Sequence, residues 1–415
     1  MKPAIIIQHA RLVTPLGHSA RHGAAMKELF TLDDAVIAIC DGRIAYVGTS
    51  FEEAFGIVGE HTLIDARGHA VLPGFVDSHT HLTFGGSRPD EFEMRLRGAS
   101  YMDIMRAGGG IQSTVNATRS ATPRFLADKA RLVVDKMSEM GVTTLEGKSG
   151  YGLSVEAERV QLEAMKLLHD DETLPLDLVA TFMGAHAVPT EYKGRTAEYT
   201  DHVINDMLPE FRHMAKFCDV FCEKDVFELD DTRRLLDAAK KLGYKVKLHA
   251  DEIVTLGGAE LAAELRATSA DHLLHLSDAG IEALAKSDTV ATCLPLTAFS
   301  LRDSYAPARR MIDAGCAVAL ATDFNPGSCS SYSVPLMIAL AGIYMSMSTE
   351  EIITALTLNG AAALDLAHET GSIETGKRAD IIILRTENPR DLLYNFAINQ
   401  VKTVVAAGRI VANEI

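Results

Sequence analysis

No stretch of this sequence approaches the roughly 18 consecutive apolar residues of a membrane-spanning helix, although hydrophobic residues make up 47% of its 415 positions. The opening MKPAIIIQHARLV has an apolar part of only four residues, ended by Gln8 and His9. A secretory signal needs an apolar core of roughly 7–15 residues. No run rich in Lys or Arg occurs, and the formal net charge is −16. That argues against nucleic acid or an anionic membrane as the main partner. It leaves room for one Arg that receives an anionic substrate. There is no C-x-x-C pair among the six cysteines, Cys40, Cys218, Cys222, Cys293, Cys316 and Cys329. Structural zinc of the finger type is therefore not expected. Cys218 and Cys222 lie in FCDVFC, which reads as a buried strand, and all six are read as reduced thiols. No repeat or low-complexity segment is present. These absences together predict a soluble, cytoplasmic chain.

What is present is a division between the ends of the chain and its middle. AIIIQHARLV and AVIAICDGRIAYVG, near the start, are short β-branched runs with a turn at Asp41-Gly42. ADIIILR and VKTVVAAGRIV, near the end, are alike, with Gly408 at a turn. These hairpin signals predict one composite β-sandwich domain from residues 1–72 plus 368–415. The middle, 73–367, alternates apolar strands with helical stretches. The strand candidates are GFVDSHTH, GVTTLEGKSG, LDLVATFMGAH, CDVFCEKDVF, KVKLHADE, SADHLLH, TVATCLP and AVALATDF. Eight such units predict an α/β fold of the (β/α)8 TIM-barrel type.

Two helices carry clear signals. FLADKARLVVDKMSEM places Leu126, Ala130, Val133, Met137 and Met140 on one face and stops at Gly141. DTRRLLDAAKKLG offers Asp230, Asp231 or Thr232 as N-cap and stops at Gly243. A last helical region, TEEIITALTLNGAAALDL, is expected to lead from the barrel to the β domain.

Several strand candidates end in His, Glu, Asp or Lys, at the end of a barrel where active sites lie. His79-Thr80-His81 ends the first. A strand repeats every two residues, so both imidazoles face one side, a spacing that suits zinc or ferrous iron. His249-Ala250-Asp251-Glu252 ends the fifth, Asp271-His272 lies on the sixth, and Ala321-Thr322-Asp323 ends the eighth. A barrel closes its eighth strand on its first, so three imidazoles and one carboxylate converge at the mouth, with water at an open metal position.

With PGFVDSHTH, LHADE, SADH and ATDFNPG in place, the chain resembles the amidohydrolase superfamily. The resemblance implies that His79, His81, His249 and Asp323 hold one divalent or trivalent metal ion, zinc or iron. Glu252, in an H-x-x-E pattern, then moves the proton, and His272 orients the water. His275 is a weaker candidate for that second role.

Longer segments narrow the resemblance to imidazolonepropionases. They are FGGSRPDEFEMRLRGASYMDIMRAGGGIQSTVNATRSA, KSGYGLSVE, TFMGAHAVPTEY, DVFCEKDVF and ATDFNPGS. The likeness runs from about Pro73 to the GSIETGKRAD segment. It implies hydrolysis of 4-imidazolone-5-propanoate to N-formimidoyl-L-glutamate in histidine degradation. Arg88 matches a residue that binds the propanoate carboxylate, in bidentate fashion. Tyr151 and His186 match substrate contacts. Tyr101 is expected as a second contact to the tail, and Asn325, Gly327 and Ser328 as contacts just past Asp323. A homodimer is the family expectation.

Gly147, Leu296 and Thr297 depart from the expected pattern, and none is expected to touch a proposed ligand. Three alternatives stay open at this level. One is a dinuclear cyclic amidase using Lys224, with Glu223 beside it; Lys148, at the end of the second strand, is less suitably placed for that role. The others are a ring deaminase and a non-catalytic binding protein on the same scaffold.

Overall fold

A computed structural model describes residues 4–99, 103 and 109–413. The chain begins with five strands: β1 (Ile5–Thr14), β2 (Phe30–Cys40), β3 (Arg43–Gly48), β4 (Thr62–Asp65) and β5 (Ala70–Pro73). β2 turns into β3 through Asp41 and Gly42, both at positive φ (49° and 82°). That is the mirror-image turn which matches strand twist. β4 and β5 are only four residues each and have no sequence signal of their own.

Eight barrel strands follow: β6 (Phe75–Asp77), β7 (Val142–Lys148), β8 (Asp177–Ala185), β9 (Phe217–Cys222), β10 (Lys245–Ala250), β11 (Ser269–His272), β12 (Val290–Cys293) and β13 (Val318–Leu320). Each pairs in parallel with the next. The ring closes just past the strand ends. The amide of Asp323 donates to the His79 carbonyl at 3.0 Å, and that of His81 to Phe324 at 2.9 Å. Asp77 reinforces the seam, accepting from the Thr322 hydroxyl at 2.6 Å and its amide at 3.1 Å. The eight predicted strands are thus the eight strands of a (β/α)8 barrel.

The chain ends with β14 (Ile381–Leu384), β15 (Val401–Ala406) and β16 (Arg409–Asn413). They join the N-terminal strands in the order β16-β15-β14-β5-β1-β2-β3, with β4 also on β1. β1 has register breaks between Ile7 and Leu12, where a bulge bends the strand. This lets Ile5, Ile7, Leu12, Ile37, Ile39, Ile381, Ile383 and Val405 share one core. The sheet meets the barrel at Gly74, between β5 and β6, where an added Cβ would lie 2.2 Å from the Thr143 hydroxyl. Only glycine permits that approach. Arg378 spans the junction, with Asp380 at 2.6 Å and Asp177 at 2.5 Å.

Three local details differ from the sequence reading. In helix Pro123–Glu139 the residue fully buried between Ala130 and Met137 is Val134, while Val133 is only partly covered. Helix Leu229–Lys241 starts earlier than expected, with Glu228 at its N-cap and no side-chain cap bond. Asp230 and Asp231 instead sit in its first turn, where carboxylates favour the helix dipole. The last helical region is two helices, Thr349–Leu356 and Leu358–Ala362, broken at Thr357 (φ −119°, ψ −91°). No helix of the described residues is long and apolar enough to cross a membrane.

Candidate metal centre and active site

His79 and His81 reach the barrel mouth just past the end of β6, on either side of the bridge between Thr80 and Phe324, and His249 reaches it from β10. Asp323 joins them just beyond β13. All four are buried. Asp323 Oδ1 lies 3.5 Å from His79 Nε2 and 3.8 Å from His81 Nε2. His81 Nε2 lies 3.4 Å from His249 Nε2. His79 Nε2 and Asp323 Oδ1 have no hydrogen-bond partner. Buried polar atoms left in this way need an explanation. Ligand atoms about 2.0–2.1 Å from a tetrahedral ion stand roughly 3.3 Å from one another. The donor types and these three separations therefore fit a shared metal ion.

The electrostatics suit such an ion. Burial, reinforced by neighbouring cationic groups, holds His79 and His81 well below the ordinary imidazole range. They are therefore neutral, as ligation requires. Two aspartates fix the ring orientations. His79 Nδ1 is 2.6 Å from Asp271 Oδ2, and His249 Nδ1 is 3.2 Å from Asp219 Oδ1. An imidazole that gives Nδ1–H to a carboxylate leaves Nε2 free for a metal.

Thr297 donates to Asp323 Oδ2 at 2.6 Å. This corrects the expectation that the departing residues touch no proposed ligand. Leu296 lines the neighbouring cavity. Gly147 instead faces Met165 and Leu178, away from the site. Asp323 itself sits at φ 51° and His272 at φ 79°. Left-handed backbone is uncommon for non-glycine residues and gathers at functional sites.

Glu252 and His272 face each other, Oε2 to Nε2, at 3.5 Å. The His272 ring lies 5.3 Å from that of His79 and 4.9 Å from that of His249, centroid to centroid. Burial, and then the nearby Asp323 charge, push the Glu252 carboxyl well above its ordinary range. The loop bearing it is pinned on both sides. Asp251 accepts from the amides of residues 256–259 at 2.8–3.3 Å. Glu223 accepts from Ile253 at 2.8 Å and Lys224 at 2.9 Å. Both Glu223 carboxylate oxygens thus accept from backbone amides, and Lys224 is exposed. His275 is part-exposed and lies 3.8 Å from Asp303.

His186 stacks on His81, with centroids 4.7 Å apart and planes at 18°. Burial drives its pKa down to about 3. Tyr151 packs edge-on to His186 at 5.0 Å, and Phe84 bridges Tyr151 and Phe324. Beside this cluster opens a cavity of about 450 Å³ lined by Phe84, Arg88, Phe92, Arg95, Leu296, Phe299, Gly327 and Ser328, among others. The Arg88 side chain is 10% exposed and has Glu91 at 3.6 Å, while its Nε has no partner. Gly327 approaches it so closely that an added Cβ would stand 2.4 Å from Nη2. Asn325 shapes this loop. Its side chain accepts from the Gly327 and Ser328 amides, both at 2.8 Å, and donates to the Asp323 carbonyl at 2.8 Å. Tyr101 lies outside the described residues.

The sequence reading assigned no role to Asp219, Asp271, Glu146, Lys247 or Arg95, and it considered Lys148 only as a less suitable bridging lysine. Parity would have flagged several of them. Lys247 precedes His249 by two residues, and Glu146 precedes Lys148 by two, so each pair faces the same side. Arg95 follows Arg88 by two helical turns and reaches the Gly327 carbonyl at 3.2 Å.

Residues 70–411 match the model of the amidohydrolase family. The chain is 56% identical over 413 residues to an imidazolonepropionase of Bacteroides thetaiotaomicron, covering 99% of each chain. It is 54% identical to one of Phocaeicola vulgatus, again over 99% of each. Among solved structures it resembles an adenosine deaminase of Xanthomonas campestris with bound zinc. That match has a TM-score of 0.70 at 19% identity, covers 99% of this chain and 93% of the other, and speaks for the fold alone.

Proposed function

The chain belongs to the amidohydrolase family and within it to the imidazolonepropionases, and on that premise we propose a residue-level account of its site. The activity is hydrolysis of 4-imidazolone-5-propanoate to N-formimidoyl-L-glutamate, in histidine degradation. In our reading, His79, His81, His249 and Asp323 hold one metal ion. The observation that carries this reading is the pair of buried, partnerless atoms, His79 Nε2 and Asp323 Oδ1, facing each other at 3.5 Å. Zinc is our choice over iron, on the nitrogen and oxygen donors. When bound, such an ion lowers the pKa of water towards ~7 and polarises a carbonyl.

The protein's own groups supply the rest. Glu252 takes the proton of the attacking water and delivers it to the ring nitrogen as the amide C–N bond breaks. A carboxyl raised by burial suits a group that must both accept and give a proton. His272, 3.5 Å from Glu252, orients the water. His186 is neutral, stacked on His81 and gives its Nδ1 proton to the Gly150 carbonyl at 3.1 Å, so its Nε2 can accept a hydrogen bond from a ring N–H of the imidazolone without adding charge. Tyr151 stands beside it against the ring. Arg88 binds the propanoate carboxylate, and its unpartnered Nε supports that role. Gly327 and Ser328 contact the substrate from the opposite wall, and Asn325 holds their loop in shape.

Residues 73–367 form the catalytic unit in this account, and 1–72 with 368–415 the supporting one. Six free thiols, five of them buried, favour a reducing, cytoplasmic setting. His79→Ala, His249→Ala and Asp323→Ala should each lose most bound metal and activity while keeping their secondary structure. Full metal occupancy in all three would defeat the assignment.

A further inference from the structure

Directly beneath the histidines the barrel interior is charged, whereas such interiors are ordinarily filled with branched apolar side chains. Glu146 and Lys148 from β7, Asp219 from β9, Lys247 from β10 and Asp271 from β11 are all fully buried. Lys148 Nζ lies 2.7 Å from Asp219 Oδ2, 2.9 Å from Glu146 Oε2 and 3.6 Å from Asp271 Oδ2. Lys247 Nζ meets the same Glu146 oxygen at 2.9 Å and the same Asp271 oxygen at 3.6 Å. It also donates to the Ser78 carbonyl at 2.7 Å. Thr181 donates to the other Glu146 oxygen at 2.5 Å.

Apolar residues of similar volume would commonly serve stability as well as buried ions do. The network's placement gives it another use. The two aspartates that Lys148 joins are the ones that hold the rings of His79 and His249. Asp219 is divided between them, Oδ1 to His249 Nδ1 and Oδ2 to Lys148 Nζ. Lys247 is tied to Glu146 and Asp271, so Lys148 is the cation that links Asp219 to the rest.

We propose that Lys148 is a positioning residue for the metal centre. Through Asp219 and Asp271 one ammonium fixes two imidazoles from different strands, with Nδ1 as donor and Nε2 free for the ion. Glu146 and Lys247 hold that ammonium and Asp271 in place. Without Lys148, Asp219 faces Glu146 and Asp271 with no cation of its own. With the Lys148 ammonium gone from Oδ2, the carboxylate is free to turn, and His249 then loses the acceptor that sets its tautomer.

The inference rests on the four-ligand reading above, and the experiment separates the two. Zinc affinity is measured by chelator competition on metal-free protein, with circular dichroism for the fold and the visible spectrum of the cobalt form for ligand geometry. Lys148→Met should bind zinc about 10–100-fold more weakly, the usual cost of losing a group that orients a ligand, with an altered cobalt spectrum. Lys377→Met is the control for a buried ammonium. Lys377 bonds the Gly17 and Ala367 carbonyls, away from the histidines. This variant should keep the parent's zinc affinity even if it is less stable. Should Lys148→Met not fold, Lys148→Met/Asp219→Asn removes one charge of each sign. Because Lys148 acts through Asp219, that pair should bind zinc no more weakly than Asp219→Asn alone. Parent-like affinity and spectrum in Lys148→Met, or losses that multiply in the pair, would overturn the proposal. A parent chain that binds no zinc would refute the four-ligand reading instead.

Discussion

Replacing Gly327 by alanine should cripple substrate binding without harming the fold. Gly327 is not at positive φ, so alanine suits its backbone. The added Cβ would stand 2.4 Å from Arg88 Nη2 and 3.0 Å from Cζ. An ordinary contact needs about 3.4 Å or more, so the guanidinium must withdraw by roughly 1 Å. The obstructing atoms are the far end of a flexible side chain, which can move where backbone could not. The strain therefore falls on the tail-binding group. A charge-assisted hydrogen bond contributes about 1.5–3 kcal/mol, which at 1.4 kcal/mol per decade is roughly 10–100-fold in kcat/KM. The assay is steady-state hydrolysis of 4-imidazolone-5-propanoate by Gly327→Ala, Arg88→Ala and the double variant. Each single variant should lose roughly 10–100-fold, mostly in KM, with metal content unchanged. The double variant should be no worse than Arg88→Ala, because both changes remove one interaction. Losses that multiply, or equal losses on an analogue lacking the carboxylate, would refute the reasoning.

Glu252→Gln should retain the metal and lose roughly 10²–10⁴ in kcat; a loss of only a few-fold would take Glu252 out of the proton path. Thr297→Val should weaken metal binding by about tenfold, and more so at acid pH. Burial raises Asp323 to about 6 while the Thr297 hydroxyl pulls it down. Without the hydroxyl the pKa rises further, so a larger share of Asp323 is protonated near pH 6 and must lose its proton before ligating. Zinc titrations at pH 6 and 8 that show equal losses would contradict this.

The barrel was legible because its strands carry two signals at once, a short apolar run and polar residues at one end. Parity at His79 and His81, and closure of β13 on β6, were enough to bring Asp323 to the histidines. Details set by local competition were harder to read. Asp230, Asp231 and Thr232 are all favoured N-cap types, yet the helix extends back to Glu228. β4 and β5 are too short to show an alternation. Thr297 is 26 positions from Asp323, and only the closed ring brings them together. The charged floor departs from the branched apolar side chains that ordinarily fill a barrel interior. Its signal, polar residues two apart on barrel strands, was present in Lys247-x-His249 and Glu146-x-Lys148.

The most direct test is to mix the purified chain with freshly made 4-imidazolone-5-propanoate, follow loss of the ring, and measure metal in the same sample. The account predicts N-formimidoyl-L-glutamate as product, no ammonia released, about one zinc ion per chain, and activity that chelation abolishes and zinc restores. Release of ammonia, two ions per chain, or full turnover by metal-free protein would contradict it.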